Sequence, residues 1–314
     1  MKFIFPFLFT LLLLASCAES ANHPRPKYDD AENDREFYNF SGAVKSMKRY
    51  RTISPKQGHV YESVPQWFMK FTKDGKIVKY TRFLDNGKVS STEEYEYNAE
   101  NLLKKITNKQ PLYNEKSEPF YSYDTINNIT TITYHVDSLV NILKVYYNEK
   151  EQVTKMVNEN NNGSSEETFR YEKDDEGNLT KELKFQDGEL VSSQFYEYNA
   201  QGRTIKYITE FNSMKMGWER TWENGYLIQQ ENYTLSPDGA KHLDEKNTYD
   251  KHYNVIHKKV FRDDELSREL KYSYSYDAHG NWVKRNVTIK EVDFGRTKFI
   301  PAFEETQELE YWDE

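Results

Sequence analysis

The chain has 314 residues, 43 of them basic and 51 acidic, for a formal net charge of −8. Both signs are mixed along its length, which leaves no basic patch for nucleic acid or anionic lipid headgroups. A single cysteine rules out an intramolecular disulfide framework, whereas aromatic residues at 15% are plentiful enough to form a core from rings.

Residues 1–17, MKFIFPFLFTLLLLASC, have a basic start at Lys2, an apolar run from Phe3 to Leu14 and small residues before a cysteine. That run falls short of the roughly 20 residues a membrane span requires, so the segment reads as a secretory signal. Leu14-Ala15-Ser16-Cys17 resembles the lipobox of bacterial lipoproteins. The resemblance implies cleavage before Cys17, a diacylglycerol on its sulfur and acylation of the new amino terminus. Several acyl chains, at roughly 0.8 kcal/mol per buried methylene, anchor durably where one would be marginal. The partner so implied is a membrane. Ala18, where an aspartate would signal inner-membrane retention, favours the outer membrane.

Residues 18–36, AESANHPRPKYDDAENDRE, are polar, carry Pro24 and Pro26 and lack periodicity. They bury too little apolar surface to fold and read as a flexible tether.

Residues 37–314 form one repeat domain. Alternation of period two runs through it, with no helix-length stretch of 3.6-residue periodicity. In KYSYSYDAHGNWVKRNVTI and the leucine before it, Leu270, Tyr272, Tyr274 and Tyr276 alternate with polar residues, a turn with Gly280 follows, and Val283, Val287 and Ile289 resume the pattern. Such hairpins recur, anchored on Tyr97, Tyr123, Tyr147, Tyr171, Tyr198, Trp222, Tyr249 and Tyr276 at intervals of 24 to 27 residues. Between the copies lie Asn86-Gly87, Asn162-Gly163, Asp187-Gly188 and Asp238-Gly239, dipeptides that signal tight type I′ hairpins. The expected fold is all-β: a long antiparallel meander of roughly 18 to 20 strands. Twist of about 20–25° between neighbours forces such a sheet to coil into a spiral, an open half-barrel or a barrel. The anchor rings should line its inner face.

YDAHGNW, YNAQGRT, YEKDDEGNL and YDKHYNV resemble the YD repeats of recombination-hotspot and wall-associated bacterial proteins, over roughly residues 70–290. The copies are degenerate, since only Tyr123, Tyr249 and Tyr276 are followed by Asp. The resemblance implies a spiralling β-sheet and an association with the cell envelope. The Asp-Pro of the self-cleaving segment in toxin-bearing members is missing, so toxin delivery is not expected.

No phosphate loop, nucleophile elbow or His-Glu-x-x-His motif occurs. His252 and His257, five apart, fall on opposite faces of a strand. The acidic triplets at Asp174 and Asp263 read as surface turns, although oxygen-rich turns can take calcium. No metal or cofactor is expected. Asp124-Thr125-Ile126 and Asp137-Ser138-Leu139 resemble an O-glycosylation tripeptide of some envelope proteins. Trp67, Trp218, Trp222 and Trp282 are the candidates for an exposed aromatic binding surface. The function expected is a non-catalytic scaffold or binding module facing an envelope protein or glycan. The alternatives are an envelope glycan hydrolase with paired carboxylates and a carbohydrate-binding surface protein.

Overall fold

Inward rings alternating with outward polar residues, punctuated by turns, produce a chain that is almost wholly strand. A computed structural model describes residues 34–53, 63–113, 115–136, 139–293 and 296–313. The leader, Cys17, the tether through residue 33 and the Asp137-Ser138 pair lie outside the described residues. One short helix, α1 (Asp34–Phe37), occupies the last part of the expected tether.

The strands follow in order. They are β1 (Val44–Ile53), β2 (Ser63–Phe71), β3 (Ile77–Phe83), β4 (Val89–Tyr97), β5 (Leu103–Gln110), β6 (Glu115–Ser117) and β7 (Phe120–Asp124). Next come β8 (Ile129–Val136), β9 (Leu139–Tyr147), β10 (Val153–Asn160), β11 (Gly163–Lys173), β12 (Leu179–Gln186), β13 (Glu189–Tyr198) and β14 (Thr204–Phe211). The last are β15 (Met214–Glu223), β16 (Tyr226–Leu235), β17 (Lys241–Tyr249), β18 (Val255–Arg262), β19 (Glu265–Tyr276), β20 (Trp282–Asp293) and β21 (Arg296–Tyr311). Each pairs antiparallel with its neighbours, and β21 returns to pair with β1 from Val44↔Tyr311 to Ile53↔Phe303. The meander is therefore a closed barrel. Because β6 and β7 both pair with β5, they share one position around the wall, interrupted at Glu118-Pro119, and the ring has 20 positions. At about 4.8 Å per strand, such a ring would be about 30 Å across if circular, too wide for side chains to fill. Closure removes the two end edges that an open meander would leave, because β1 and β21 pair with each other.

One rim carries the repeat turns, and its chemistry explains the recurring Tyr-(Asn/Asp)-x-x-Gly pattern. In the turn at Asp277 the backbone N–H of Asp277 donates to the carbonyl of Asn281 (2.9 Å), while its carboxylate accepts from the N–H groups of His279 (3.0 Å) and Asn281 (2.9 Å). Asn98, Asn148, Asp174, Asn199 and Asp250 do the same for the residue four ahead. The residue three ahead must take a positive φ. Gly177, Gly202 and Gly280 do so without strain, and Asn101 (65°), Glu151 (58°) and Tyr253 (61°) do so without glycine. The anchor ring then reaches back to the preceding hairpin. Tyr97 donates to the Ile77 carbonyl (2.7 Å), Tyr123 to Leu103 (2.8 Å), Tyr171 to Val153 (2.7 Å) and Tyr198 to Leu179 (2.8 Å). The Trp222 indole substitutes for the phenol, donating to Thr204 (3.3 Å).

The opposite rim differs from expectation. Only Asp187-Gly188 of the four dipeptides has both residues at positive φ (51° and 87°). Asn86-Gly87 and Asp238-Gly239 sit in five-residue turns closed by Leu84–Lys88 and Ser236–Ala240 backbone bonds. Two-residue turns with both φ positive fall instead at Asn212-Ser213, Asn224-Gly225 and Asp263-Asp264, the second of these on the repeat rim after Trp222. Asn and Asp enter the left-handed region more readily than other side chains, so these turns form without the glycine on which the dipeptide signal depends.

Register sorts the side chains onto two faces. Met47, Arg49 and Arg51 face inward from β1, opposite Met69, Trp67 and Val64 of β2, and the row continues through Tyr80 and Arg82 on β3. Lys48 and Tyr50 face outward. The buried apolar residues form two patches rather than one central core. Phe40, Val44, Met47, Met69, Phe71 and Ile77 make one, and Val145, Val153 and Phe169 the other. Residues 34–43 run over the repeat rim as a strap. Asp34 accepts from the Ile77 N–H (2.7 Å), Asn39 donates to the His252 carbonyl (3.3 Å), and the Ser41 N–H donates to Asn281 Oδ1 (2.7 Å).

Candidate functional site: arginine and tryptophan on the lumen wall

The two faces use their cations differently. Outward residues pair in ladders: Lys79 and Lys109 on Glu94, Lys144 on Glu159, Lys155 on Glu166, Lys181 on Glu172, Lys206 on Glu197, Lys246 on Glu231 and Lys284 on Glu304. Outward rings lie beneath cationic side chains, with Lys181 over Phe195, Arg170 over Phe185, Lys241 over Tyr233 and Lys271 over Phe299. A bilayer-spanning barrel needs an outward apolar band about 25 Å tall, and a lysine or arginine at its midplane costs about 2–4 kcal/mol. Mid-strand Lys–Glu ladders are incompatible with that band, so this wall faces water. No helix among the described residues is long and apolar enough to cross a membrane.

Inward cations over rings are arginines: Arg49, Arg51, Arg82, Arg220 and Arg285. The guanidinium is planar and weakly hydrated, which suits stacking in a half-buried space better than an ammonium does. Four of these converge where β20, β21, β1, β2 and β3 lie side by side. Glu305, 1% exposed, accepts from Arg51 Nε (2.9 Å) and Nη2 (2.7 Å) through Oε1 and from Arg285 through Oε2. Burial pushes its carboxyl up, but Arg285 and Arg51 outweigh that and hold it below the usual carboxylate range.

With both oxygens of Glu305 engaged, Arg49 is left over. Its guanidinium lies between two indoles, 4.4 Å from the Trp67 ring and 4.7 Å from Trp282. It makes no hydrogen bond or ion pair among the described residues, and its Nε is enclosed without a partner. Burial, and then the positive charge of Arg285, push it down to about 10. Facing it across the β1–β21 pair is Gln307, 6% exposed, whose Nε2 donates to the Trp282 carbonyl (3.0 Å) and whose Oε1 lacks a donor. Arg82, opposite Trp67 on β3 and exposed, stacks over Tyr80 at 5.1 Å and also has no carboxylate partner among the described residues.

The structure brings together only part of the expected aromatic set. Trp67, at 37%, is exposed, and Trp282 joins it around Arg49. Trp218 is half-buried, stacked on Tyr207 at 5.7 Å with Arg220 4.0 Å from its ring. Trp222 is half-buried and serves the rim. Trp282 is half-buried as well, so of the four tryptophans expected to be exposed Trp67 alone is. Among the anchors, Tyr97, Tyr123, Tyr171 and Tyr198 bond as described, whereas Tyr274, not Tyr276, reaches back to Val255 (2.7 Å). Tyr276 donates instead to Asp250 Oδ2 (2.6 Å) and stacks on His252. Tyr147 and Tyr249 complete the inward row by register, opposite Val153 and Val255.

The acidic triplets are turns. Asp174 holds the rim turn, and Asp264 accepts from His242 Nδ1 (2.7 Å) and the Leu243 N–H (3.1 Å). No group of three or more His, Cys, Asp or Glu side chains placed to hold a metal occurs among the described residues. Sequence reasoning missed Arg49, Arg82, Arg285, Glu305 and Gln307. Parity was a usable signal for Arg82, in phase with Tyr80, and for Glu305 and Gln307, in phase with Phe303, but not for Arg49, whose neighbouring ring, Tyr50, faces outward.

No protein-family model matches the chain, and no curated protein matches it. Among solved structures it is similar to a porin-like protein from Bacteroides uniformis ATCC 8492, at 11% identity over 86% of this chain and 99% of that one, with a TM-score of 0.37. It is also similar to a chain in the crystal structure of TcdB2-TccC3-Cdc42, at 12% identity over 80% of this chain and 19% of that one, with a TM-score of 0.28.

Proposed function

We propose that this protein is a lipid-anchored module of the bacterial outer membrane that binds a ligand inside a water-exposed barrel and performs no covalent chemistry. The observation that carries the reading is the division of the wall. Outward charges pair with one another in ladders, while inward ones include Arg49 and Arg82, which have no carboxylate partner among the described residues. The motif Leu14 to Cys17 supports the anchor. The Tyr-Asp rim turns support the kinship with YD-repeat proteins, whose envelope association fits the same address.

The rival reading, a hydrolase with paired carboxylates, has support from the carboxyls whose pKa burial raises, Asp34 in the strap and Glu182 on the inner wall. Glu182 faces inward, burial raises its pKa, and Gln194 donates to it at 3.4 Å. The next inward carboxylate on that strand pair is Glu167, which stands opposite Gln186, four residues along β12 and about 13 Å away at 3.3 Å per residue. It is ion-paired with Lys184 at 2.8 Å. Glycosidase pairs lie about 5 to 10 Å apart. The deciding experiment heats the full-length protein in mild detergent with a panel of envelope and plant polysaccharide fragments, then analyses the fragments. Binding predicts a saturable rise in unfolding temperature with fragments recovered intact. Shortened fragments would establish the hydrolase, and no rise with any fragment would remove the saccharide-binding reading.

A further inference from the structure

We propose that the lumen wall around Trp67 binds an acidic saccharide, with a sugar ring against the exposed indole and its carboxylate held by the guanidinium groups of Arg49 and Arg82. The inference rests on the reading of the barrel as a binding module and names what that module holds.

Three features of the wall define the ligand. The first is charge. Three arginines, Arg49, Arg51 and Arg285, surround one glutamate whose two oxygens are already occupied, and Arg82 adds a fourth cation two strands away. Against these four cations the inner wall from β20 to β4 sets the carboxylates of Glu305 and Glu93, the latter opposite Tyr80 and already accepting from the Tyr95 hydroxyl (2.5 Å), and an anion completes that balance. The second is shape. Arg49 and Arg82 stand on either side of Trp67, about 10 Å apart at the backbone by two strand spacings. An exposed indole between two cations matches a ligand with a flat C–H face and an anionic substituent. The third is hydrogen bonding. Gln307, on the wall beside Arg49, has an acceptor without a donor among the described residues. A group left unsatisfied in this way is costly unless something supplies its partner.

A ligand that brings hydroxyl donors, a carboxylate and an apolar ring face together is a uronate-bearing sugar. Inorganic phosphate brings neither donors in a row nor an apolar face, and a neutral sugar leaves both arginines unanswered.

The test uses the full-length protein in mild detergent, with an oligogalacturonate, a neutral oligogalactose of the same length and inorganic phosphate, read by tryptophan fluorescence and calorimetry. The acidic oligosaccharide should bind at least tenfold more tightly than the neutral one. Arg82→Gln, at an exposed position that tolerates change, and Arg49→Gln should each weaken it tenfold or more. Trp67→Ala should weaken both sugars, and the outward Lys48→Gln should change neither. Circular dichroism and the unfolding temperature establish that each variant is folded, and if Arg49→Gln is not, Arg82→Gln and Trp67→Ala decide the matter. Equal affinity for the two sugars, an Arg82→Gln variant that binds normally, or displacement of the sugar by equimolar phosphate would overturn the proposal. Tight binding of the neutral sugar alone would overturn it while leaving the binding-module reading intact. Failure of every saccharide here and in the fragment panel would remove both.

Discussion

The phenolic hydroxyl of Tyr171 donates to the carbonyl of Val153 at 2.7 Å, tying the end of one hairpin to the start of the next strand behind it. Tyr97, Tyr123 and Tyr198 make the corresponding bond. Burial pushes the Tyr171 phenol far above its ordinary value, so it remains a donor across the accessible pH range.

Removing that donor should cost about 1 kcal/mol, the net worth of one such bond. Tyr171→Phe is expected to lower the midpoint of chemical denaturation accordingly. Tyr50→Phe, whose hydroxyl bonds only the outward Glu308, should lie within about 0.5 kcal/mol of the parent. Equal losses in the two variants would show that the rim bonds have no special weight.

At Glu151 the backbone adopts φ of 58° in a turn where most copies place glycine or asparagine. A left-handed conformation costs a side chain about 1–2 kcal/mol, and glycine gives back part of the gain through its freer unfolded state. Glu151→Gly should therefore stabilise the protein by about 0.5–1 kcal/mol, measured by the same denaturation assay. A destabilised variant would mean that the Glu151 side chain does something the turn geometry does not show.

These two residues also mark how far the sequence could be read. Strand and turn were legible because the inward rings recur at fixed spacing, and Asp277 and Asn98 follow an anchor ring for a reason local to the turn. Closure was not legible. Pairing of Met47 with Leu309 joins residues at opposite ends of the chain, and nothing within one repeat encodes the number of repeats that brings them together. The cluster at Arg49 was hidden for the same reason, because Trp67, Trp282 and Glu305 meet only once the ring has closed. In KSMKRYRTI the arginines at 49 and 51 look no different from the outward lysines until register assigns a face.

Glu305 gives a dependence on pH. Its folded-state pKa is depressed below 4.5 by Arg285 and Arg51, so the unfolded chain binds the proton first. The stabilisation is complete well above 4.5 and is lost as pH falls through the folded-state value. Glu305→Gln should cost about 3 kcal/mol at pH 7, since it strands two arginines around a buried neutral amide. The difference between parent and variant should shrink as the pH is lowered from 5 towards 2. A difference independent of pH over that range would show that the lost contacts are steric, not ionic.

On the proposed reading, with the outer face of the wall in water, a lipid on Cys17 attaches the barrel to the bilayer. Cys17→Ala, expressed in a bacterium with an outer membrane and followed by membrane fractionation and a carbonate wash, tests this most directly. The account predicts that the variant leaves the membrane and is recovered without detergent, with the far-ultraviolet signature of a β-barrel. A variant that stays embedded after the wash would mean that the strands themselves cross the bilayer, and the assignment of inside and outside would be wrong.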